Sequence, residues 1–394
     1  MNPFLLKQLE ASAWLRQLFQ RFDGTREDAP VSLAIGNPHM IPPAAFYTAL
    51  DRQLRQPTET LHHYTPQEGL ADSREQIAAH LRASCQTKFR AEDIFLTMGA
   101  SGALAILLKT LFAPDDEVLL LAPYFLEYPT YLALYSLRPK IVQTDAHFHL
   151  DLDAIAQAIT PQTRGLILNS PNNPTGVIYT RQELTALAAL LSEKSRTFSH
   201  PIYLLSDEPY RYINLTQQDI PFLSDLYDQS VLITSFSKQL AIPGERIGYL
   251  ALSPSFHEHE QVRQGLNLAQ RLLGFINAPS LMQAVVCELL DVTIDLAMIL
   301  ENKALLEDTL RRNHLDFVEP EGAFYTFVRS PLADDVAFCA LARESGVLLM
   351  PGSAFGARGW FRACLCTSTP IMRAALPRLQ KAIALAHAAE NKQQ

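Results

Sequence analysis

The amino-acid sequence predicts an α/β fold with a mainly parallel central sheet, followed by a second, smaller α+β part. Short apolar runs alternate with longer helical patterns through the middle of the chain, which is typical of βα units. Beyond about residue 279 the pattern changes to long amphipathic stretches with a few strand-like pieces. The chain has 394 residues, more than the roughly 100–200 residues of one domain, so we expect two domains.

Each element of the α/β part is predicted from its local pattern. Apolar and charged residues alternate with helical spacing through residues 1–20, which predicts an amphipathic packing helix rather than a signal peptide. Thr180 and Glu183 have the spacing of a capping box and predict the start of a helix, and another helix is expected over residues 101–112. Five short apolar runs predict strands: residues 94–98, 118–121, 165–168, 202–205 and 231–234.

The C-terminal part combines two long helical patterns with two short strand-like pieces. Residues 281–313 and residues 371–390 are amphipathic stretches that predict helices. Residues 323–328 and residues 361–365 predict strands between them. This mixture differs from the regular alternation upstream and indicates a separate α+β domain.

The composition excludes several classes of function. Lys and Arg number 33 against 41 Asp and Glu, a net charge of −8, so no basic excess indicates nucleic-acid binding. No segment approaches the roughly 18 apolar residues that a membrane-spanning helix needs, so we expect no membrane partner. The five cysteines are scattered, without the spacing of a disulfide framework or a zinc site. We therefore expect a cytoplasmic protein without a metal.

Chemically distinctive residues follow the five apolar runs. In open α/β sheets, ligands bind at the carboxyl ends of the strands, so these residues are candidates for one site. Small and hydroxyl residues that open a helix suit an anion, an aromatic side chain suits a planar ring, and Asp with Lys suits a heteroaromatic cofactor that carries an aldehyde. The five segments are Gly99-Ala100-Ser101, Pro123-Tyr124-Phe125, residues 169–176, residues 207–210 and Ser235-Phe236-Ser237-Lys238.

These motifs resemble those of the fold type I pyridoxal-phosphate enzymes, specifically the class I/II aminotransferases of the aspartate aminotransferase superfamily. The most specific part is residues 235–238 followed by residues 243–248, which places Lys238 and Arg246 at the spacing found in the family. Asn-Pro-Thr-Gly at residues 173–176 and Asp-x-x-Tyr at residues 207–210 stand in the family order. The resemblance covers nearly the whole chain, from about Ile35 to Arg362.

The resemblance implies an architecture as well as a cofactor. It implies a three-layer αβα large domain of residues 46–279 that binds pyridoxal 5′-phosphate. A smaller α+β domain is then formed by residues 1–45 and residues 280–394. Tyr64 matches a tyrosine that in the family reaches the phosphate of the neighbouring subunit, so the resemblance also implies a homodimer with shared active sites.

Three catalytic residues are implied by the same resemblance. Lys238 forms a Schiff base with the cofactor aldehyde and then moves a proton. Asp207 pairs with the pyridinium nitrogen and keeps it protonated, so that the ring can accept the electrons of the broken Cα–H bond. Tyr210, together with Asn173, hydrogen-bonds the 3′ oxygen of the cofactor.

Further residues are implied to bind the phosphate, the ring and the substrate. Phe125 stacks on the cofactor ring. Arg362 grips the α-carboxylate of the substrate with its planar fork, and Gly36 and Asn173 line the substrate. The phosphate is held near the start of a helix, where unpaired amides and the macrodipole favour an anion. The residues of this phosphate site are Gly99, Ala100, Ser101, Ser235 and Arg246.

The resemblance implies a ping-pong transfer of the amino group of an L-amino acid to a 2-oxo acid. The same residues also serve Cβ-S lyases, decarboxylases and racemases. A catalytically silent ligand sensor is another alternative, but the roughly thirty-five residues before Gly36 are too few for a helix-turn-helix module and a linker. Ser235-x-x-Lys238 also fits the signature of serine acyl-enzymes, whose Ser-Asp-Asn and Lys-Thr-Gly elements do not occur here. The amino acid stays open, with Arg263 and Arg271 as candidate ligands for a dicarboxylate.

Overall fold

The computed structural model describes residues 2–11, 13, 30–55 and 59–390. Its strands are β1 (Val31–Ser32), β2 (Ile94–Thr97), β3 (Glu117–Ala122), β4 (Arg138–Gln143), β5 (Thr163–Asn169), β6 (Tyr203–Asp207), β7 (Ser230–Ser235), β8 (Gly248–Leu252), β9 (Phe317–Val318), β10 (Tyr325–Arg329), β11 (Val347–Leu348), β12 (Met350–Pro351) and β13 (Trp360–Cys364). Its α-helices are α1 (Pro3–Ala11), α2 (Ala44–Arg55), α3 (Ala71–Ser84), α4 (Gly99–Leu111), α5 (Tyr128–Leu134), α6 (Leu152–Ala158), α7 (Arg181–Phe198), α8 (Phe236–Gln239), α9 (His259–Leu272), α10 (Ser280–Cys287), α11 (Ala297–Arg312), α12 (Asp335–Glu344) and α13 (Thr369–Glu390).

Seven strands form the central sheet, in the order β2-β8-β7-β6-β5-β3-β4. Neighbouring strands are parallel except at β8, which runs antiparallel to both β2 and β7. The five predicted apolar runs coincide with β2, β3, β5, β6 and β7. The prediction of a mainly parallel sheet is therefore confirmed.

Helices cover both faces of the central sheet. Alternate residues of a strand point to opposite faces: in β3, Leu119 packs in one apolar cluster with Leu187 of α7, whereas Leu120 packs in another with Leu104 of α4. Because both faces are buried, the inner strands consist of continuous apolar runs rather than alternating patterns. The three-layer αβα architecture is confirmed.

Two strands of this sheet escape prediction from the sequence. β4 lies at the edge of the sheet, and Val142 alone among its six residues is buried, so it contains no apolar run. β8 is fully buried and apolar, but it begins inside the motif at residues 243–248. The start of β8 was therefore assigned to the motif, and β8 was not recognised as a separate apolar run.

The predicted start of α7 is confirmed by a capping box. The amide of Glu183 donates a hydrogen bond to the hydroxyl of Thr180 (3.3 Å), and the amide of Thr180 donates one to the carboxylate of Glu183 (2.8 Å). The first of these bonds pairs the amide of Glu183, which has no partner within the first turn of the helix. The second fixes Thr180, the residue immediately before the helix.

A second sheet lies in the C-terminal part, with the antiparallel order β12-β13-β10-β9. The predicted strands at residues 323–328 and 361–365 correspond to β10 and β13. β1 pairs in parallel with β11, and Val31 lies opposite Val347. The N-terminal segment and the C-terminal part thus share a hydrogen-bonded ladder.

The prediction of one continuous helical stretch over residues 281–313 is wrong in its middle. α10 and α11 are separated by residues 288–296. This segment contains three consecutive β-branched residues, 292–294, which disfavour a helix. The carboxylate of Asp295 then accepts a hydrogen bond from the amide of Ala297 (2.9 Å), a local bond that favours a turn before α11.

The predicted N-terminal helical stretch lies only partly within the described residues. α1 confirms a helix over Pro3–Ala11, while residues 14–20 of the predicted stretch lie outside the described residues. Its apolar face is largely exposed, with 51% of Leu5 and 43% of Leu6 accessible to solvent. The predicted packing of this face against the rest of the chain is therefore not seen in the described part.

The described part of the chain contains neither a membrane-spanning helix nor a metal cluster. None of its helices is both long enough and apolar enough to cross a bilayer. Within the ranges given above, three or more His, Cys, Asp or Glu side chains do not come together as a metal ion requires.

We predict that the packing of α7 on the sheet contributes strongly to stability. Leu187 is fully buried between α7 and the sheet, so Leu187→Ala should lower the free energy of unfolding by about 2–5 kcal/mol through lost burial and a residual cavity. Leu385→Ala, at a position 44% exposed on α13, is the matched control and should change it little. Equilibrium urea denaturation measures both, and equal midpoints for the two variants would contradict the packing described here.

Candidate active site

A cavity of about 360 Å³ lies at the carboxyl edge of the central sheet. The ends of β5, β6 and β7 and the first turns of α4 and α8 contribute to its wall. Most of the predicted site residues line it, so the structure brings together side chains that are far apart in sequence. These residues are Gly36, Ala100, Ser101, Phe125, Asn173, Asp207, Tyr210, Ser235, Lys238, Arg246 and Arg362.

The strand register explains why these residues meet. β5 and β6 are parallel, and Asn169 at the end of β5 lies opposite Asp207 at the end of β6. β7 ends at Ser235, whose hydroxyl accepts a hydrogen bond from the amide of Ser237 (3.1 Å) and so caps the short helix α8. Lys238 follows in that helix and lines the cavity. The carboxyl ends of adjacent strands therefore supply one continuous wall.

Asp207 presents an unpaired carboxylate oxygen inside this wall. Its Oδ2 accepts a hydrogen bond from the hydroxyl of Tyr128 (2.5 Å), whereas its Oδ1 is buried with no hydrogen-bond partner among the described residues. Burial raises the pKa of Asp207 to about 7, and the bond from Tyr128 partly opposes this shift. A buried acceptor without a partner costs free energy, so this oxygen suits a cationic donor.

Two residues that contact Asp207 were given no role from the sequence: Asn169, which belongs to the candidate segment 169–176, and Tyr128. The side-chain amide of Asn169 donates to the carbonyl of Asp207 (2.7 Å), and its Oδ1 accepts from the amide of Asn173 (2.7 Å). Its place at the end of β5 is a signal that could have identified it. Tyr128 offers no such signal, because a tyrosine in a helical apolar pattern usually belongs to the core.

Lys238 points its amine toward the N-terminal segment. Its Nζ donates a hydrogen bond to the carbonyl of Gly36 (2.7 Å). Burial lowers the pKa of Lys238, and the charges of Arg362 and Arg246 lower it further, while two buried cysteine thiols act in the opposite direction. A lowered pKa increases the fraction of free amine, which is the nucleophilic form of lysine.

Ser235 is not arranged as the nucleophile of an acyl-enzyme. Its hydroxyl hydrogen-bonds the hydroxyl of Ser237 (2.7 Å) and lies 3.2 Å from the carbonyl of Ile247. The amine of Lys238, the base that such a mechanism requires, is bonded instead to Gly36. The geometry therefore does not favour the serine acyl-enzyme alternative.

Arg246 and the start of α4 form the first cationic end of the cavity. The guanidinium of Arg246 donates to two backbone carbonyls, at 2.9 and 3.4 Å. Gly99 has a φ of +72°, and a Cβ at this position would lie 2.9 Å from Nη2 of Arg246, so glycine lets the guanidinium approach the helix. Ala100 and Ser101 line the cavity at the same point, where the unpaired amides of α4 favour an anion.

Arg362 forms the second cationic end. It lies on β13 and is only 3% exposed. Its Nη1 donates to Oδ1 of Asn173 (2.7 Å) and its Nη2 to the carbonyl of Ala34 (2.5 Å), while its Nε has no partner among the described residues. The guanidinium carbon lies 4.2 Å from the ring centroid of Tyr325. A planar fork that is fixed in this way suits a carboxylate.

Cations outnumber anions around the cavity. Lys238, Arg246 and Arg362 line it, whereas Asp207 is the one carboxylate of its described lining. The hydrogen bonds of the three cations go to carbonyl and amide oxygens rather than to carboxylates. The cavity is therefore suited to a ligand, or a pair of ligands, with more than one anionic group.

Tyr210 belongs to a row of hydrogen-bonded polar side chains. The side-chain amide of Asn173 donates to the hydroxyl of Tyr210 (3.4 Å), which hydrogen-bonds the hydroxyl of Tyr325 (3.0 Å). Burial raises the pKa of Tyr210 above its ordinary value, so its phenol stays neutral and can donate. Gly36 packs against this row: a Cβ there would lie 2.0 Å from the hydroxyl oxygen of Tyr325.

The remaining predicted residues lie at the margin of the cavity or outside it. The ring of Phe125 lines the cavity and meets Tyr128 edge to face, with centroids 5.4 Å apart. Tyr64 is 86% exposed and does not line the cavity of its own chain. Arg263 and Arg271 lie on α9 and do not line it either. Their roles at the site of a neighbouring subunit stay predictions.

The sequence matches the family model of class I and II aminotransferases over residues 28–379. A probable N-acetyl-LL-diaminopimelate aminotransferase of Bacillus subtilis is 30% identical, and the match covers 92% of this chain and 91% of the relative. An aspartate aminotransferase of Thermotoga maritima is 32% identical, with coverage of 80% and 82%. Both matches thus span at least 80% of each chain.

Solved structures show the same similarity. An amino transferase from Eubacterium rectale superposes with a TM-score of 0.91 at 31% identity, and the match covers 98% of this chain and 99% of the other. A single mutant of the Thermus thermophilus aspartate aminotransferase gives a TM-score of 0.83 at 27% identity, with coverage of 94% and 95%. The resemblance predicted from the motifs is confirmed, and the chain belongs to the class I and II aminotransferases, the pyridoxal-phosphate-dependent enzymes of fold type I.

Proposed function

We propose that this aminotransferase binds pyridoxal 5′-phosphate and moves the amino group of an L-amino acid to a 2-oxo acid by a ping-pong mechanism. One observation carries the proposal. A lysine amine with a lowered pKa converges on one cavity with a buried carboxylate oxygen and two arginines. Within the described part of the chain, the oxygen is unpaired and the arginines have no carboxylate partner. These groups complement an aldehyde, a ring nitrogen, a phosphate and a substrate carboxylate.

The residues present fit each part of the cofactor. The unpaired Oδ1 of Asp207 can accept a hydrogen bond from a protonated ring nitrogen, and the cradle of Gly99 and Arg246 offers the phosphate a cation and free amides. When bound, the cofactor supplies an acceptor for the electrons of the substrate Cα–H bond. The residues that would hold it are Gly99, Ala100, Ser101, Phe125, Asn173, Asp207, Tyr210, Ser235, Lys238 and Arg246.

Lys238 is assigned two tasks. Its free amine would be the nucleophile for the aldehyde, and the lowered pKa increases the fraction of lysine in that form. With the cofactor and an amino acid bound, the same amine would be placed to take the proton from the substrate Cα and to hold it for return to the cofactor. The carbonyl of Gly36, 2.7 Å from Nζ, gives the ammonium form an acceptor between these steps.

Arg362 is assigned to the α-carboxylate of both substrates. Every L-amino acid and every 2-oxo acid carries this group, so one ligand can serve both halves of a ping-pong reaction. The contacts of Arg362 with Asn173 and Ala34 fix the plane of its guanidinium. A carboxylate bound in that plane would hold the substrate Cα near Lys238, which lines the same cavity.

The proposal extends to assembly and location. Tyr64 is 86% exposed, which leaves its side chain available to reach the phosphate site of a second copy in a homodimer with shared active sites. We assign residues 46–279 to a cofactor-binding domain, and residues 1–45 with 280–394 to a small domain. The five cysteines are free thiols, which supports a reducing cytoplasm.

We predict that borohydride reduction of the cofactor-loaded protein labels Lys238. Lys238→Ala should keep the fold but lose transamination by several orders of magnitude, because neither the nucleophile nor the proton carrier remains. Lys109→Ala, at an exposed position of α4, is the control and should behave as wild type. Peptide mapping by mass spectrometry locates the label. A label on another lysine, or no label, would contradict the assignment.

The pH dependence of stability provides a second prediction. Burial raises the pKa of Asp207 from 3.8 to about 7, so the folded state without cofactor prefers the protonated carboxyl. The stability that this group contributes is fully present below pH 3.8 and is lost as the pH rises through about 7. Asp207→Asn should therefore flatten the pH dependence of the melting temperature of the cofactor-free protein.

The control for this experiment is Asp153→Asn, at an exposed carboxylate of α6, which should leave the pH dependence unchanged. In the cofactor-loaded protein, Asp207→Asn should slow deprotonation of the substrate Cα by several orders of magnitude in single-turnover measurements. An unchanged single-turnover rate would show that Asp207 does not contact the ring nitrogen.

A third prediction concerns Arg362. Arg362→Ala should raise KM roughly 100-fold for every amino acid tested, because a charge-assisted contact to the common α-carboxylate is lost. Arg362→Lys keeps the charge without the planar fork and should be partly impaired. Arg329→Ala, at the exposed end of β10, is the control. If only acidic amino acids were affected, Arg362 would be a side-chain ligand instead.

A further inference from the structure

We propose that the amino acid converted by this enzyme carries an uncharged, apolar side chain, which packs against a wall formed by Ala34, Leu126 and Met350. The inference rests on the proposed transamination and names the class of its substrate. It starts from the strand register: Met350 of β12 lies directly opposite Arg362 of β13. Opposite residues of an antiparallel pair project from the same face of a sheet. Met350 therefore lies beside the proposed ligand of the α-carboxylate, and it lines the same cavity.

The surroundings of Arg362 are apolar on this side. Ala34 and Met350 belong to one buried apolar cluster, and Leu126 packs against it. All three residues line the cavity. The guanidinium carbon of Arg362 lies 4.9 Å from the ring centroid of Phe355, another member of this cluster. A substrate that is held at Arg362 by its α-carboxylate thus has apolar surface within reach of its side chain.

Ile35 adds an exposed apolar surface to this wall. It lines the cavity and is 54% exposed, whereas the preceding Ala34 is fully buried. An apolar side chain that covers Ile35 removes apolar surface from water, which favours binding in proportion to the area covered. A carboxylate in the same place would lose water without gaining a partner.

The cations of the cavity are already assigned to other groups. Lys238 is assigned to the aldehyde, Arg246 to the phosphate and Arg362 to the α-carboxylate. Among the described lining residues, no further cation remains for a carboxylate on the side chain of the substrate. A charge that is buried without a partner is costly, so an acidic side chain is disfavoured.

The neutral polar side chains near Arg362 are bonded within the protein or face water. Asn173 accepts from Arg362 and donates to Tyr210, whose hydroxyl hydrogen-bonds that of Tyr325. Asn37 lines the cavity but is exposed, so water can satisfy its amide. An apolar substrate side chain leaves all of these bonds in place.

The competing inference is an acidic substrate that is bound by an arginine of a second copy. Arg263 is unsuited to this task, because its Nε donates to the carbonyl of Glu92 (2.7 Å) and its Nη1 to the carboxylate of Glu260 (2.6 Å). Arg271 is exposed on α9. The experiment must therefore distinguish an apolar wall from a cation at Arg271.

The test compares L-leucine, L-asparagine and L-aspartate, whose branched side chains have the same skeleton but are apolar, neutral polar and charged. Each is mixed with protein loaded with pyridoxal 5′-phosphate, without an oxo acid, and the absorbance of the cofactor gives the second-order rate constant of the half-reaction. L-Leucine should exceed L-asparagine about tenfold and L-aspartate about 100-fold. From L-alanine to L-norvaline the constant should rise about 15-fold, because each of two buried methylenes contributes about fourfold.

A binding measurement gives a readout that does not depend on catalysis. 4-Methylpentanoate and succinate are the analogues of leucine and aspartate without the amino group. In calorimetric titrations of the cofactor-loaded protein, 4-methylpentanoate should bind about tenfold or more tightly than succinate.

Variants of Met350 test the wall itself. Met350→Ala should lower the rate constant for L-leucine about tenfold with little effect on L-alanine, whose side chain is too short to fill the wall. Met350→Lys places a cation opposite Arg362 and should raise the constant for L-aspartate relative to L-leucine. Met298→Ala is the control, at a partly exposed position of α11 outside the cavity lining, and should behave as wild type.

The outcomes separate this inference from the proposed function. If no amino acid changes the absorbance of the cofactor, the proposed function fails and the inference fails with it. If amino acids react but L-aspartate or L-asparagine reacts faster than L-leucine, transamination stands and the inference is overturned. Loss of a preference for L-aspartate in Arg271→Ala would then identify Arg271 as its ligand. An equal effect of Met350→Ala on L-leucine and L-alanine would also overturn the inference, because the wall would not contact the side chain.

Discussion

The active site depends on the parallel pairing of β5, β6 and β7. Parallel strands end at the same edge of a sheet, so Asn169, Asp207 and Ser235 become neighbours without any contribution from distant segments. The polypeptide must then turn away from the sheet at this edge. The short helix α8 begins with a cap at Ser235 and delivers Lys238 to the cavity within one turn.

Burial favours the neutral form of two ionisable groups in this cavity. The pKa of Lys238 is lowered and that of Asp207 is raised, which means that the protein environment disfavours the charged form of both. A ligand that supplied a cationic donor to Asp207 would offset the cost of ionising this buried carboxyl. That gain would contribute to the affinity for the ligand.

Site residues were easiest to predict from the sequence where reactive side chains lie at the ends of predicted strands. Asp207 and Lys238 stand at or just after the ends of buried strands, so their convergence follows from the fold class. Arg246 was instead identified by its family spacing from Lys238. β4 could not be predicted, because an edge strand with one buried residue contains no apolar run. Tyr128 could not be predicted either, since its contact with Asp207 bridges two segments whose approach is decided by tertiary packing.

The antiparallel strand β8 has a consequence for how the site assembles. It returns the chain beside β7, with Ser235 opposite Gly248, so Lys238 and Arg246 lie within a single hairpin connection. The contacts of Arg362 with Asn173 and of Lys238 with Gly36 instead join residues 189 and 202 positions apart. Closing the short connection costs far less chain entropy than closing the long ones. During folding, Lys238 and Arg246 are therefore expected to meet before Arg362 reaches them.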